Sequence, residues 1–292
     1  MSHPLYKRLP DSLRKAIGLR RARKWLTAQR LRYRHNRSLA ADAPVINFYP
    51  MLPGPKSQMT HVARRLGARI GNSPEGGMLR FAWDNGTWFS PRAARRLAPD
   101  AINRECLDIS KTRVDRVWAE VAGYGITVDP TTTEGAIVEK PDINGLHAGR
   151  VVLGPIARPR RGYVYQKLID NIQGDSRTQT RAVIIDGRMV LTYNKWRPID
   201  SPFTNNRLSL PERPEDHYSA DERELILHFA RAMNLDYGDI DILRENGTGR
   251  LYAIDANRTP VLPKGLPPEK RDASLAPMVE AFRELIRSRA GG

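Results

Sequence analysis

The chain has one cysteine, Cys106, in 292 residues. Internal disulfides and cysteine-based zinc sites are therefore excluded, and Cys106 is assigned a structural role because the sequence offers it no convincing base partner. No apolar run approaches the roughly 20 residues that span a bilayer. The N-terminus is charged where a signal peptide would be apolar. We therefore expect a soluble, cytoplasmic protein.

Acidic residues are scarce at the N-terminal end. Residues 1–37 contain twelve Lys or Arg and one acid, Asp11, so they carry +11 of the net charge of +16. We expect a basic helical arm over residues 1–40, with helix-forming composition at 11–34. Three interpretations stay open: a solvated helix packed on its own domain, a helix docked on an acidic partner, or a helix on an anionic membrane surface or nucleic acid.

Two common catalytic signatures are missing. No serine-centred nucleophile elbow is present. The tetrapeptide Gly54-Pro55-Lys56-Ser57 ends like a phosphate-binding P-loop, but the glycine expected five residues earlier is absent and Pro55 lacks the backbone N–H that such a loop needs. We exclude a P-loop.

The acidic residues near the C-terminal end fall into an ordered pattern. Two segments of strand character flank the turn 246–249, which predicts a hairpin. Residues two apart on a strand face the same side, so Asp255 and Asn257 project together, and a paired neighbour strand would bring Asp241 to that face. Two carboxylates and a carboxamide suit Mg²⁺ held between protein and polyphosphate. The alternative is an ordinary solvated hairpin face.

Three further segments precede this hairpin in a characteristic order. Lys111 lies in Ile-Ser-Lys-Thr-Arg at the start of a predicted helix, and Lys140 lies in Ile-Val-Glu-Lys-Pro at a strand end. The stretch 163–170 reads Tyr-Val-Tyr-Gln-Lys-Leu-Ile-Asp. Taken in this order, residues 105–262 resemble the ATP-grasp superfamily.

The resemblance implies an α/β (α+β) fold in which two α+β subdomains hold ATP between them. It implies an ATP-grasp domain over 109–292, whose small ATP-covering subdomain occupies about 112–168. A small α/β domain, 41–108, and the basic arm would precede it. Dimers are common in the family, so a homodimer is a further expectation.

The resemblance also implies roles for individual residues. The expected nucleotide contacts are Lys111 and Lys140 on the phosphates, the backbone of Lys167 and Leu168 at the adenine edge, Gln166 at the adenine amino group and Asp170 at the ribose. Asp241, Asp255 and Asn257 would be the metal ligands, and Arg181 would reach the reacting phosphate or acyl phosphate. The loop 143–149 would act as a lid. Two lysines from different elements suit a polyphosphate because each is a compact positive charge.

Two departures from the family pattern bear on the substrate. Asp255 stands where glutamate is usual, and the run after Asn257 is Arg-Thr-Pro-Val, without the glycine that many ligases have there. Arg258 therefore suggests a nearby anionic substrate group. Lys195 and Arg197, expected on a loop near the site, add positive charge.

The resulting hypothesis is an ATP- and Mg²⁺-dependent ligase, with Mn²⁺ as an alternative metal. It would activate a small anionic carboxylate substrate as an acyl phosphate and join it to an amine. The first alternative is an ATP-grasp kinase that phosphorylates a hydroxyl. The second is a non-catalytic protein that binds nucleic acid or a membrane surface through the arm.

Overall fold

The computed structural model describes residues 11–146, 148–200 and 206–290, with the side chains of 11–22, 24 and 290 outside that description. Residues 1–10 of the expected arm and His147 of the expected lid therefore lie outside the described residues. The helices are α1 (Asp11–Arg37), α2 (Gln58–Arg65), α3 (Pro91–Ala94), α4 (Lys111–Ala122), α5 (Ala220–Ala232) and α6 (Arg271–Ala290). The strands are β1 (Val45–Pro50), β2 (Arg69–Gly71), β3 (Leu79–Trp83), β4 (Gly135–Pro141), β5 (Arg150–Gly154), β6 (Tyr163–Lys167), β7 (Ile172–Gln173), β8 (Ser176–Ile185), β9 (Arg188–Pro198), β10 (Leu208–Glu212), β11 (Tyr237–Arg244) and β12 (Leu251–Asn257).

The first sheet is parallel, in the order β2-β1-β3. Its strands are short and apolar because helices and the rest of the protein cover both faces, as is usual for parallel sheets. Phe48 of β1 stacks on Phe81 of β3, with ring centroids 5.2 Å apart. Helix α1 packs beside β2, where Asn36 and Ile70 exchange two hydrogen bonds of 2.9 Å.

A small antiparallel sheet follows, in the order β5-β4-β6. Helix α4 leads into it and begins where the Ser110 side chain accepts a hydrogen bond from the Arg113 N–H. The helix ends at Gly123, whose φ of 80° is a left-handed conformation that glycine adopts without steric cost. The start of α4 at Lys111 agrees with the sequence prediction.

The large sheet has six strands, with the order β10-β9-β8-β11-β12 and β7 paired to β8. Two of its hairpins have tight turns: β8–β9 reverses at Asp186-Gly187, both with positive φ, and β11–β12 reverses at residues 246–249, as the sequence predicted. Helix α5 begins with a capping box between Ser219 and Glu222.

Helices α4 and α5 pack on one face of the large sheet, and the other face is divided into an apolar and a polar part. Even-numbered residues such as Ala182 and Ile184 of β8 pack against α4 and α5. On the opposite face Val183 and Ile185 pack against α6 and the first sheet, whereas the same face continues along the strands into polar residues. This apolar core joins the first sheet to the large sheet without a break. The domain boundaries expected near residues 40 and 108 therefore stay a prediction.

None of the helices within the described ranges combines the length and apolarity that crossing a membrane requires.

The core between α6 and the first sheet gives a stability prediction. Phe282 of α6 is fully buried, with ring centroids 5.9 Å from Phe81 and 5.6 Å from Tyr237. We expect Phe282→Ala to lower the free energy of unfolding by about 3–5 kcal/mol, measured by denaturant titration, because it leaves a cavity in a packed core. The neighbouring exposed change Arg283→Ala is the control and should cost less than about 0.5 kcal/mol. Equal effects of the two changes would contradict this assignment of the core.

Candidate active site

Four neighbouring strands place polar side chains on the divided face of the large sheet, in or directly beneath one cleft. The alternation of side chains along each strand places them together. They are Gln179 and Arg181 of β8, Lys195 and Arg197 of β9, Asp239 and Asp241 of β11, and Asp255 and Asn257 of β12. Asp241 lies directly opposite Asp255, and Asp239 lies opposite Asn257. Gly238 permits this close pairing, since a Cβ there would lie 2.4 Å from the Asn257 carbonyl oxygen.

Asp241 is held between two cations. Its Oδ1 accepts from Arg181 Nε at 2.7 Å and from Lys195 Nζ at 2.9 Å, and its Oδ2 accepts from Arg181 Nη2 at 3.0 Å. Burial opposes ionisation of this carboxyl, but Arg181 and Lys195 outweigh burial and lower its pKa. Burial also lowers the pKa of Lys195, which is fully enclosed. The Asp241 charge is therefore matched before any ligand enters.

Asp239 forms a second layer behind this ion pair. It is fully buried, accepts from Gln58 Nε2 at 3.2 and 3.3 Å, and lies 3.4 Å from Arg181 Nη1. Burial raises its pKa to about 7. Arg181 is consequently fixed from two strand positions, and Gln58 links this arrangement to the beginning of α2.

The cleft in front of these residues has a volume of about 280 Å³. Its charged lining residues are Lys111, Lys140, Arg181, Arg197, Asp241 and Asp255. Positive charge therefore exceeds negative charge in the lining, which favours an anionic ligand. Burial, with Lys111 nearby, lowers the pKa of Lys140 to about 8.

A second cavity of about 80 Å³ adjoins the cleft and is mainly apolar. Ile126, Val138, Leu168, Ile169, Leu243 and Ile254 supply its apolar lining. Lys140, Gln179, Arg197 and Ile254 line both cavities and so form a neck between them. Lys167, Asn171 and Arg177 complete the lining of the smaller cavity, so cations line both cavities.

The segment after β4 covers the cleft. Lys111 Nζ donates to Asn144 Oδ1 at 3.1 Å, and Asn144 Nδ2 donates to the Ile109 carbonyl oxygen at 2.8 Å. Ile143, Gly145, Leu146, Ala148 and Gly149 line the cleft beneath. The segment expected as a lid thus borders the cavity on the side of the small sheet.

Two buried polar atoms in the cleft have no hydrogen-bond partner among the described residues: Asp255 Oδ1 and Gln179 Nε2. An unpaired buried polar atom costs about 1–3 kcal/mol, so each is suited to a ligand atom. Burial raises the pKa of Asp255, and the charge of Lys111 opposes that effect. No three His, Cys, Asp or Glu side chains converge within the described ranges. An orphaned carboxylate oxygen beside a carboxamide nevertheless fits Mg²⁺, which completes its shell with water and phosphate oxygens.

Several predicted site residues do come together. Lys111, Lys140, Arg181, Arg197, Asp241, Asp255 and Asn257 all line the larger cavity, and Lys167 and Leu168 line the smaller one. Lys195 lies directly beneath, bound to Asp241. Lys195 and Arg197 belong to strand β9, so their expected position on a loop was wrong.

Arg258 points away from the cleft, contrary to the expectation that it meets substrate. It is fully buried and donates from Nη1 to the Cys106 carbonyl oxygen at 2.9 Å and from Nη2 to the Gly86 carbonyl oxygen at 2.7 Å. It follows Asn257 directly, and successive residues on an extended chain face opposite sides. Its role in this structure is to tie together buried loops.

Two residues of the expected hinge are also placed differently. Gln166 Oε1 accepts from Lys140 Nζ at 3.0 Å, so Gln166 orients that lysine. Asp170 is exposed and caps its own turn by accepting from the Ile172 N–H at 3.2 Å. Gln166 and Asp170 are not among the described residues that line either cavity.

Sequence reasoning missed three residues of the site. Asp239 shares the alternation of Asp241, and this signal was visible in the sequence. Gln179 stands in the same relation to Arg181. Gln58 carries no local signal, because it reaches Asp239 from a position 181 residues away.

No family model matches the sequence, and no curated protein matches it. Among solved structures, the ATP-grasp ligase PsnB with a phosphomimetic variant of its minimal precursor, Mg and ADP matches with 13% identity over 85% of this chain and 98% of that chain, at a TM-score of 0.54. The same ligase with minimal precursor matches with 15% identity over 62% of this chain and 60% of that chain, at 0.44. The L-amino acid ligase from Bacillus licheniformis matches with 14% identity over 75% of this chain and 67% of that chain, at 0.46.

The first of these matches shows a shared fold, and its low sequence identity shows nothing beyond the fold. The other two matches have TM-scores below 0.5 and do not establish a shared fold. The chain has the ATP-grasp fold, an α+β fold, and this sequence prediction is confirmed.

The position of Arg258 gives a prediction that separates a structural role from a binding role. We expect Arg258→Met to lower the free energy of unfolding by about 3 kcal/mol in a denaturant titration, because two buried carbonyls lose a charged donor. The exposed change Arg92→Met is the matched control and should be close to neutral. An unchanged stability of Arg258→Met would contradict the structural role.

Proposed function

We propose that the protein is an ATP-dependent ligase that activates a carboxylate as an acyl phosphate and joins it to an amine. The observation that carries this proposal is the pair of connected cavities: cations line both, and the smaller one also has six apolar side chains. A nucleoside triphosphate combines a flat base, which suits the apolar side chains, with a polyanion, which suits the cations. The ATP-grasp fold supports the assignment.

The smaller cavity would hold adenine, with the backbone of Lys167 and Leu168 at its edge. Two cations, one carboxamide and one aliphatic side chain form the neck: Lys140, Arg197, Gln179 and Ile254. Donors suit phosphate oxygens, which accept hydrogen bonds and do not donate them. We therefore add Gln179, whose amide nitrogen lacks a partner among the described residues, to the proposed phosphate contacts.

The metal proposal retains Asp255 and Asn257 as the residues that hold Mg²⁺, with Asp241 beside them. When bound, Mg²⁺ neutralises charge on the transferring phosphoryl group. Asp241 would share its oxygens with Arg181 and Lys195, so it orients those cations as well as supporting the metal.

In the proposed reaction, a substrate carboxylate oxygen attacks the γ-phosphorus, the bond to the β–γ bridging oxygen breaks, and ADP leaves. The amine nitrogen then attacks the acyl carbon, inorganic phosphate leaves, and the nitrogen loses a proton. Arg181 and Arg197 would neutralise charge that develops on the phosphoryl group. Residues 143–149 would exclude water, which otherwise hydrolyses an acyl phosphate.

A phosphotransferase is the second candidate, and the wall of the cleft supports it. Thr259, Pro260 and Val261 line the cavity where many ligases have a glycine. Pro260 offers no N–H to a substrate. A hydroxyl acceptor would take the phosphoryl group and the reaction would stop there.

Product analysis separates the two candidates. The protein is incubated with ATP, Mg²⁺, a panel of small carboxylic and hydroxy acids, and amino acids or short peptides as amine donors. A ligase releases ADP only when acid and amine are both present and yields an amide, whereas a phosphotransferase needs no amine and yields a phosphate ester. Release of AMP and pyrophosphate would contradict both proposals.

The metal proposal predicts the effect of Asp255→Asn. We expect ADP formation at saturating ATP to fall by at least about 100-fold, because the charged ligand to the cation is lost while the side-chain shape is kept. The exposed change Asp42→Asn is the matched control and should leave the rate unchanged. Full activity of Asp255→Asn at limiting Mg²⁺ would rule out this ligand.

The low pKa of Lys140 predicts a pH dependence for nucleotide binding. In the free protein Lys140 is charged below its pKa of about 8 and neutral above it. ADP affinity in the presence of Mg²⁺, measured by calorimetry, should therefore fall as pH rises from about 7.5 to 9.5, by up to about tenfold per unit. Lys140→Arg keeps its charge over this range, so its affinity should be nearly flat. Parallel profiles for the two proteins would contradict the role of Lys140.

A further inference from the structure

Helix α1 is anchored through one stripe of residues. Ala28 is buried and Leu31 is partly buried against the main core, and Asn36 exchanges two hydrogen bonds with Ile70 of β2. Ala28, Leu31 and His35 recur at the spacing of one helix face. The opposite face is therefore presented outward in a fixed orientation.

That outward face exposes large apolar side chains. Leu26 and Tyr33 are 51% and 61% exposed, and Trp25, on the side of the helix three residues before Ala28, is 46% exposed. These are three of the seven large hydrophobic side chains that are exposed in the described part of the chain, and they lie within nine residues. Such clustering marks an interaction surface rather than the scattered exposure that is normal for single residues.

Arginines surround these apolar side chains. Leu26, Arg30, Tyr33 and Arg37 follow one another at helical spacing, and the Arg37 guanidinium lies 5.4 Å from the Tyr33 ring centroid. Arg34 is also exposed. Residues 12–41 contain no Asp or Glu, so Asp11, the first residue of α1, is the one acid in the sequence of the helix.

We propose that the outward face of α1, formed by Leu26, Arg30, Tyr33, Arg34 and Arg37 and flanked by Trp25, docks on an anionic lipid surface. Aromatic and leucine side chains enter the headgroup region while arginines contact lipid phosphates, and a helix lying in the plane of the interface makes both contacts at once. Nucleic acid would bind the arginines equally well, but it offers the aliphatic Leu26 no apolar environment comparable to that of the lipid acyl chains. The helix lies on the membrane and does not cross it.

The test is co-sedimentation of the full chain with vesicles of phosphatidylcholine alone or mixed with phosphatidylglycerol. We expect binding to the anionic vesicles at low salt and at least tenfold weaker binding to the neutral ones. Binding should fall as salt rises, because screening weakens the arginine contacts. Equal binding to both vesicle types, or binding to neither, would overturn the proposal.

Matched variants locate the surface. The triple change Arg30→Glu, Arg34→Glu and Arg37→Glu should lower the partition coefficient by about 100-fold or more, since each basic residue near the surface contributes about 1 kcal/mol. The triple change Arg92→Glu, Arg158→Glu and Arg161→Glu alters net charge equally at other exposed sites and should have less than about a threefold effect. Equal losses for the two triples would show a general charge effect and overturn the assignment to α1.

A second pair of variants tests insertion rather than attraction. Leu26→Ser with Tyr33→Ser should weaken vesicle binding that persists at high salt, whereas Val151→Ser with Leu153→Ser, also exposed, should not. Circular dichroism and thermal unfolding check that every variant folds. If every protein with an unchanged α1 bound nucleic acid more tightly than anionic vesicles, the ligand of this surface would be nucleic acid and the lipid proposal would be overturned. ADP binding is measured in parallel, and its presence or absence does not bear on this proposal.

Discussion

The arrangement of the whole site depends on one buried carboxylate, Asp241, held between Arg181 and Lys195. Removing three charges from water costs several kcal/mol per ion, and their mutual attraction roughly offsets that cost, so the cluster contributes little net stability. Its contribution is orientation. The two cations are fixed on neighbouring strands of a rigid sheet, and Asp239 holds Arg181 from behind. A phosphoryl group entering the cleft would meet charges that need no rearrangement, which is how fixed dipoles and ions stabilise developing charge.

The division of the sheet face explains why the cleft lies where it does. Along β8, β9 and β11 the same face is apolar at one end, where α6 and the first sheet cover it, and polar at the other. The segment that leads from β1 into α2 also supports the cleft wall directly: the Gln58 N–H donates to the Pro260 carbonyl oxygen at 3.1 Å, and the Leu262 N–H donates to the Lys56 carbonyl oxygen at 3.1 Å. The segment that resembled a P-loop in sequence thus braces the wall beside the proposed acceptor position.

The sequence predicted those parts of the site that depend on local geometry. Strand alternation placed Asp255 and Asn257 on one face, and the glycine-bearing turn predicted the hairpin that brings Asp241 to that face. A β-bulge between Asp241 and Ile242 shifts the register and places Asp241 directly opposite Asp255, and this shift was not predicted. Arg258 was assigned to the substrate site because it directly follows the predicted metal ligand Asn257. The sequence does not show whether its side chain faces the cleft or two buried carbonyl groups. The strand position of Lys195 was missed because polar residues interrupt the apolar pattern of β9 at the point where it enters the site. The role of Gln58 could not be predicted from the sequence, because only the tertiary fold brings it to Asp239.

The net charge of +16 has two sources with different physical meaning. Within the site, Arg181 and Lys195 are matched by Asp241 and Asp239, and the excess that remains, chiefly Lys111, Lys140 and Arg197, faces a cavity sized for a small polyanion. On the arm, no acid lies between residues 12 and 41, and apolar side chains stand exposed among the arginines. Charge enclosed in a cleft selects a ligand by shape, whereas charge spread along an exposed helix selects an extended surface. We therefore expect the cleft and the exposed helix to bind different anionic partners.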